Sequence, residues 1–356
     1  MLLEGIFPAI TTPFYPNGDL YLRKLEHNVS RYSRTQLAGM VVLGSTGEAV
    51  MLSSEEQREV LEIAIAAAAP DKVMIAGVGH ESVRQTVAMA ETAGRLNYDA
   101  VLVRTPHFYR RQFHRSDAPP LEMLTYYRAV ADASPLPVVL YSVPTMTLYE
   151  LPVEAVAALA EHPNIIGLKE SSGKPERIAA TVNATRFVTR SVAVTPTFAA
   201  VTGRMLRSQP DPSGAKFVSL EALGNGGAAL AVASPATIKT RQKQVGFSVL
   251  TGGAATLRAS LDAGASGAVL AFAACAPQCC YEVWTAWKEG DSALAEEKQA
   301  RIGQPSQRVA GEMGIPALKF ACDLNGYFGG RPRLPLLPLT AGQQQELERL
   351  MQDIQY

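Results

Sequence analysis

The sequence predicts an α/β fold in which eight βα units close into a (β/α)8 TIM barrel. Short apolar runs alternate with helical patterns, as parallel strands do when crossover helices separate them. The first of these runs ends in Thr-Thr-Pro-Phe, without a Gly-rich phosphate turn, which disfavours an open doubly wound sheet. The 356 residues also suffice for a barrel of about 250 residues with extensions.

The eight predicted strands are near-continuous apolar runs, as expected of strands covered on both faces. They lie at residues 5–12, 39–44, 72–79, 99–105, 137–143, 165–170, 246–252 and 267–271. Helix start signals stand between them. Ser53 precedes two carboxylates that favour the positive end of a helix, and Pro152 occupies a position where a helix begins.

Two segments fall outside the regular pattern. We expect the barrel to occupy residues 1–275, interrupted by an insertion at about 186–245 that is far longer than ordinary βα connections. This insertion forms either a packed surface appendage or an active-site lid, and the sequence does not distinguish the two. Residues 276–356 form a C-terminal helical region, which either caps the barrel or builds an oligomer contact.

Composition narrows the class of protein. Hydrophobic residues make up 47% and charged residues 19%, which indicates a globular chain. The 33 basic residues balance the 33 acidic ones without a long basic run, so neither nucleic acid nor a membrane surface is an expected partner. With no signal peptide and no apolar stretch of membrane length in the sequence, we expect a cytoplasmic protein. The four cysteines lack zinc-site spacing and are expected to be free thiols.

A lysine at the end of the sixth strand is the first candidate for chemistry. That strand reads IIGLKE, and an ammonium group inside a barrel is costly unless it is paired or neutralised. A desolvated Lys169 would lose its proton more readily and become a nucleophile towards a ketone. From this strand alone, a lysine held in an ion pair is an equal alternative.

Two other strand ends carry polar groups. Tyr141 lies on the strand next to Lys169 and can pass protons to a substrate, although a core tyrosine is the alternative. The second strand ends in GSTGE, where the hydroxyls and backbone N–H groups of Ser45 and Thr46 suit a carboxylate. Taken alone, this is an ordinary turn.

Together these motifs resemble the dihydrodipicolinate synthase and N-acetylneuraminate lyase superfamily of Schiff-base lyases. The resemblance covers nearly the whole chain except the insertion. Its motifs occur in order as PAITTPF at 8–14, GSTGE at 44–48, TP at 105–106, YSVP at 141–144 and GLKE at 167–170.

The resemblance implies a role for each of these residues. Lys169 would form an imine with a 2-oxo acid such as pyruvate, Tyr141 would shuttle protons, and Ser45 and Thr46 would bind the carboxylate, with Thr46 also relaying protons. The backbone of Gly252 and Gly253 would contact the substrate. No metal and no cofactor is implied, and a homo-oligomer, either a dimer or a tetramer, is expected.

Two positions depart from the family pattern. Phe108 stands where the family has a second tyrosine that completes a relay across the dimer contact, so either His107 or Tyr109 substitutes, or the relay is altered, or activity is weak. Met146 stands where the synthases have an arginine for the carboxylate of the second substrate. A thioether cannot replace that bidentate anchor.

The predicted function is a class I aldolase that cleaves 4-hydroxy-2-oxoglutarate, or a similar acid, into pyruvate and an aldehyde. The runs at 137–144, 162–167, 314–319 and 326–330 resemble the 4-hydroxy-2-oxoglutarate aldolase branch. Within the same chemistry, the alternatives are a 4-hydroxy-tetrahydrodipicolinate synthase and a sugar-acid dehydratase. A catalytically silent barrel that binds a 2-oxo acid or a protein partner is an alternative of another class.

Overall fold

Eight parallel strands form the barrel. A computed structural model describes residues 1–113, 120–207 and 238–354. The barrel strands are β1 (Gly5–Pro8), β2 (Gly39–Val42), β3 (Val73–Gly77), β4 (Ala100–Arg104), β5 (Val138–Ser142), β6 (Ile165–Glu170), β9 (Ser248–Thr251) and β10 (Gly267–Leu270). Their order is β1-β10-β9-β6-β5-β4-β3-β2, and a parallel bridge from Ala9 to Val41 brings the two ends together. The predicted fold class is confirmed.

The strands are apolar on both faces because each face packs against other apolar groups. Inward-facing side chains fill the barrel axis, and Phe7, Val41, Leu102 and Leu250 belong to this inner cluster. Outward-facing side chains pack under the surrounding helices in a larger cluster. A packed interior leaves chemistry to the ends of the strands.

Helices cover the outside of the barrel and continue into the C-terminal region. They are α1 (Leu22–Ser33), α2 (Ser54–Ala67), α3 (Val83–Arg95), α4 (Arg110–Phe113), α5 (Leu121–Ala133), α6 (Pro144–Thr147), α7 (Val153–Ala160), α8 (Pro175–Ala184), α9 (Gly203–Arg207), α10 (Leu257–Asp262), α11 (Pro277–Lys288), α12 (Ser292–Ser306), α13 (Ile315–Leu324) and α14 (Ala341–Leu350). A π-helical segment, Gln307–Glu312, follows α12.

The predicted helix start signals operate as expected. The Ser53 side chain accepts a hydrogen bond from the N–H of Glu56, and the Glu56 carboxylate accepts one from the N–H of Ser53. This capping box satisfies two backbone donors at the start of α2. Pro152 directly precedes α7.

The long connection between α8 and β9 contains an antiparallel pair of strands, β7 (Arg190–Val194) and β8 (Arg241–Val245). Helix α9 lies between them in the chain, and Arg204 on this helix donates hydrogen bonds to the carbonyl oxygens of Ala68 and Ala69. Lys243 pairs with Glu4 at 2.8 Å. These partners stand at the N-terminal ends of barrel strands, so the described parts of the connection lie away from the opposite end, which favours a surface appendage over a lid. The turn motifs at 209–214 and 224–227 lie outside the described residues.

All four cysteines are free and buried. Burial raises the pKa of Cys322 to about 12 and that of Cys275 and Cys280 well above the usual value. Protonated thiols in apolar surroundings act as small hydrophobic side chains.

Among the described helices, none has the length and apolar character that crossing a bilayer requires.

Candidate active site

Three polar side chains end neighbouring strands at the C-terminal mouth of the barrel. In the register of the sheet, Arg104 of β4 pairs with Tyr141 of β5, which pairs with Lys169 of β6. Arg104 follows the inward-facing Leu102 by two residues, and Tyr141 belongs to the inner cluster. Because strand residues alternate between the two faces, Arg104 and Tyr141 both point inwards.

Lys169 is buried, with 5% of its surface exposed. Its Nζ lies 4.2 Å from the centre of the Tyr141 ring, and it makes no hydrogen bond or ion pair with any residue that the structure describes. The adjacent Glu170 carboxylate instead accepts hydrogen bonds from Arg177 and from the N–H of Ser172. The alternative of a lysine held in an ion pair is therefore wrong within the described part of the chain.

The hydroxyl group of Tyr141 has one polar neighbour on the second strand's turn. It lies 3.4 Å from Oγ of Ser45, at the long limit of a hydrogen bond. Thr46 is buried but makes no described hydrogen bond to Tyr141. The geometry therefore brings Ser45, and not Thr46, within reach of the tyrosine.

The turn after β2 has two backbone donors that are not used within the described structure. The N–H groups of Gly47 and Glu48 donate to the carbonyl oxygens of Gly44 and Ser45. The N–H groups of Ser45 and Thr46 find no acceptor among the described residues. Consecutive N–H groups at a tight turn form an anion-binding concavity.

A buried ion pair between Glu48 and Lys319 supports this turn. Glu48 has a left-handed backbone with φ of 55°, and its Oε1 lies 2.6 Å from Nζ of Lys319 on α13. Its Oε2 accepts a hydrogen bond of 2.8 Å from the N–H of Arg333. Burial lowers the pKa of Lys319, although Glu48 opposes that shift. The C-terminal region is thus joined to the turn that carries Ser45 and Thr46.

Close backbone packing also fixes the turn. A Cβ atom on Gly77, at the end of β3, would lie 2.0 Å from the carbonyl oxygen of Leu43. Such a contact is impossible without moving the backbone, so Gly77 allows β3 to approach the residues that precede Ser45.

A cavity of about 220 Å³ opens beside these groups. Side chains or backbone from four strand ends form its wall, including Gly44, Ser45, His80, Arg104 and Tyr141. Burial, followed by the charge of Arg104, lowers the pKa of His80 and favours its neutral form. Lys169 does not line the cavity itself. Its Nζ lies against the ring of Tyr141, and Tyr141 lines the cavity.

The sequence analysis missed Arg104. Its Nη1 lies 2.9 Å from Oε1 of Glu81 and 2.9 Å from Nδ1 of His107. The sequence does contain a signal for Arg104. This residue follows the apolar run AVLV, just as Lys169 follows IIGL. The family motif at this position, Thr105-Pro106, begins one residue later.

The proposed relay substitutes do not reach Tyr141 within the described chain. The His107 ring lies against Glu81 and Arg104, with Nδ1 2.9 Å from Oε1 of Glu81. Tyr109 is 61% exposed and Phe108 is 74% exposed, and their rings pack edge to face. Met146 is also exposed, on the short helix α6.

The N–H groups of the backbone after β9 already have acceptors within the chain, so its carbonyl oxygens are better placed than its N–H groups to contact a substrate. The N–H of Gly252 donates to the carbonyl oxygen of Glu170 at 2.7 Å, and the N–H of Gly253 donates to Oγ1 of Thr251 at 3.3 Å. A Cβ atom on Gly252 would lie 2.8 Å from Cβ of Ser171 and 3.1 Å from its Cα, contacts that rotation of the serine side chain cannot relieve. Glycine is therefore required there for the close approach of β6 and β9. Across residues 1–113, 120–207 and 238–354, no group of three or more His, Cys, Asp or Glu side chains suits a metal ion.

Comparison with known families decides the relationship. The model of the dihydrodipicolinate synthetase family matches residues 2–189 and 230–354. The chain belongs to this family. Homologues in this family are aldolase-type lyases that use a lysine Schiff base with pyruvate, so the predicted superfamily and enzyme class are confirmed.

Individual relatives agree with this membership. A 4-hydroxy-tetrahydrodipicolinate synthase of Xanthomonas campestris pv. campestris is 40% identical over 195 residues, which cover 54% of this chain and 62% of the relative, less than two thirds of its length. One of Methanothrix thermoacetophila is 27% identical over 350 residues, covering 98% and 96%. The pyruvate complex of the Acinetobacter baumannii dihydrodipicolinate synthase aligns over 99% of both chains with a TM-score of 0.76 and 25% identity.

The ion pair beneath the turn yields a stability prediction. Lys319→Met or Glu48→Gln alone should lower the free energy of unfolding by about 3–5 kcal/mol, because each leaves an uncompensated buried polar or charged group. The double variant should recover part of this loss. Urea denaturation of the four proteins measures the coupling, and single variants within about 1 kcal/mol of the parent would contradict the role of the pair.

Proposed function

We propose that this chain is a class I aldolase in which Lys169 forms a Schiff base with a pyruvate-type 2-oxo acid, and that it cleaves 4-hydroxy-2-oxoglutarate or a similar acid. One observation carries this proposal. The Nζ of Lys169 is buried beside the hydroxyl-bearing Tyr141, and no described carboxylate neutralises it. An amine so placed is suited to condense with a carbonyl group.

The bond changes follow from the imine. The neutral amine of Lys169 attacks C2 of the 2-oxo acid, the ketone oxygen takes up a proton, and loss of water leaves a protonated imine. This cation accepts the electron pair of the C3–C4 bond as that bond breaks. The products are an aldehyde and an enamine, which is protonated at C3 and hydrolysed to pyruvate and the free lysine.

Proton transfer needs a group near the substrate hydroxyl. As the C3–C4 bond breaks, the hydroxyl group of Tyr141 accepts the proton of the C4 hydroxyl and passes its own proton to Oγ of Ser45, 3.4 Å away, which releases one to solvent in the cavity. The reverse transfer returns a proton to C3 of the enamine. We therefore place Ser45 next to Tyr141 in the relay. Thr46 serves the substrate carboxylate, together with the two N–H groups of the turn.

Bond formation requires a side-chain rotation. Nζ of Lys169 stacks on the Tyr141 ring, a contact worth about 0.5–2 kcal/mol for an ammonium group. That is small enough for Lys169 to leave the ring as it condenses. The buried strand end limits the alternative positions of the amine.

The condensing direction is the second candidate. The relatives from Xanthomonas and Methanothrix carry the name 4-hydroxy-tetrahydrodipicolinate synthase. The same enamine would attack an aldehyde in place of a proton, so both directions share one site. Met146 is exposed and supplies no guanidinium to a second substrate. Parallel assays with aspartate semialdehyde and with 4-hydroxy-2-oxoglutarate separate the two reactions.

We also propose that the chain forms a homo-oligomer, either a dimer or a tetramer. The large exposed rings of Phe108 and Tyr109, next to the mouth of the barrel, support a contact between subunits. Light scattering of the purified chain should give a multiple of the monomer mass, and the monomer mass alone would contradict this.

Trapping of the imine tests the proposed function. Incubation with pyruvate and borohydride should place one reduced pyruvyl group on Lys169, located by peptide mass spectrometry. Lys169→Met should abolish the adduct, whereas Lys174→Met should not, because Lys174 is an exposed lysine paired with Glu150. An unmodified Lys169, or equal labelling of surface lysines, would refute the proposal.

The relay makes a separate kinetic prediction. Tyr141→Phe should lower kcat for aldol cleavage by about 10²–10⁴-fold, because the proton of the C4 hydroxyl loses its acceptor. Ser45→Ala should cause a smaller loss, because Tyr141 remains. Steady-state pyruvate release measures both, and a Tyr141→Phe enzyme within threefold of the parent would exclude the tyrosine from proton transfer.

A further inference from the structure

Arg104 is a partly buried cation whose position the aldolase mechanism does not use. Its side chain is 16% exposed and lines the same cavity as Ser45 and Tyr141. Gly79 makes room for it, since a Cβ atom there would lie 2.8 Å from Cγ of Arg104 and 2.6 Å from its backbone nitrogen. The strand ends thus hold a guanidinium at the wall of the candidate substrate cavity.

Only one nitrogen of this guanidinium has partners in the described structure. Nη1 contacts Oε1 of Glu81, Nδ1 of His107 and the carbonyl oxygen of Thr105. Nε and Nη2 make no hydrogen bond to a described residue. These two nitrogens form the edge of the fork that binds a carboxylate through two parallel hydrogen bonds.

The Glu81 carboxylate has other partners besides Arg104. Its second oxygen, Oε2, accepts hydrogen bonds of 2.9 Å from the N–H groups of His107 and Phe108. The Glu81 carboxylate therefore contacts the Arg104 side chain, the His107 ring and two backbone donors. Among the residues that the structure describes, Arg104 is held in place through Nη1 alone, which leaves Nε and Nη2 as donors for another anion.

The spacing suits a substrate with two acidic ends. Arg104 and Lys169 flank Tyr141 on three successive strands, so their Cα atoms lie about 10 Å apart, twice the distance between neighbouring strands. Both side chains are long enough to approach one small molecule from opposite sides. A 2-oxo acid joined to Lys169 through C2 would extend its far end towards Arg104.

We propose that Arg104 binds the distal carboxylate of the substrate, so that the site selects 2-oxo acids that carry a second carboxylate. This assignment rests on the proposed function, because it places the imine at Lys169. It gives the cavity the carboxylate anchor that Met146 does not provide. The competing explanation is that Arg104 serves only as the partner of Glu81 and stabilises residues 105–108.

The experiment compares two acids of equal length, 2-oxoglutarate and 2-oxopentanoate, which differ in having a carboxylate or a methyl group at the far end. The concentration for half-maximal borohydride trapping on Lys169 is measured for each, and pyruvate serves as the reference. The unaltered chain should require at least about tenfold less of the diacid. Because trapping needs no turnover, the result does not depend on the aldehyde partner.

Variants separate binding from support of the loop. Arg104→Met should abolish the preference for the diacid while Lys169 still forms the reduced pyruvate adduct. Glu81→Gln should keep the preference, because it weakens the support of residues 105–108 but retains the guanidinium. If Arg104→Met fails to fold or to trap pyruvate, Arg104→Gln replaces it, since it keeps a polar side chain without the charge.

The outcomes are distinct. An equal preference in the parent and the Arg104 variant, or no preference in the parent, would overturn the assignment while pyruvate trapping still supports the proposed function. Loss of the preference in Glu81→Gln to the same extent would favour the purely supporting role and overturn it as well. Absence of trapping on Lys169 with all three acids would overturn the proposed function and this assignment together.

Discussion

The architecture of the site depends on one buried amine that has no described ionic partner. Lys169 is buried, and the nearest acidic residue in the chain, Glu170, contacts Arg177 instead. The apolar strand β6 and the Tyr141 ring hold the amine at the mouth of the barrel.

The C-terminal region contributes to the site without touching the cavity. Lys319 and the backbone of Arg333 bind the two oxygens of Glu48, and Glu48 ends the turn that presents Ser45 and Thr46. A tight turn with unused N–H groups needs such support, because its donors would otherwise relax towards solvent or other acceptors. The helices beyond the barrel therefore help to shape the carboxylate site.

The sequence was sufficient to predict the barrel and to place Lys169 and Tyr141 near the ends of apolar strands, because such strands leave a local pattern. The catalytic roles of the two residues came from the family resemblance and stay predictions. The same pattern occurs at Arg104, but the family motif at this position begins one residue later, at the Thr-Pro pair. The Glu48–Lys319 pair leaves no local pattern, since its members meet only after the chain has folded. The predicted relay by His107 or Tyr109 depends on contacts that a single chain does not contain, and it stays a prediction.

A crystal structure of the chain soaked with pyruvate tests the central claim most directly. Our account predicts continuous electron density from Nζ of Lys169 to C2 of pyruvate, with the carboxylate at the N–H groups of Ser45 and Thr46. Pyruvate bound elsewhere, or Lys169 found in an ion pair with a carboxylate, would contradict it.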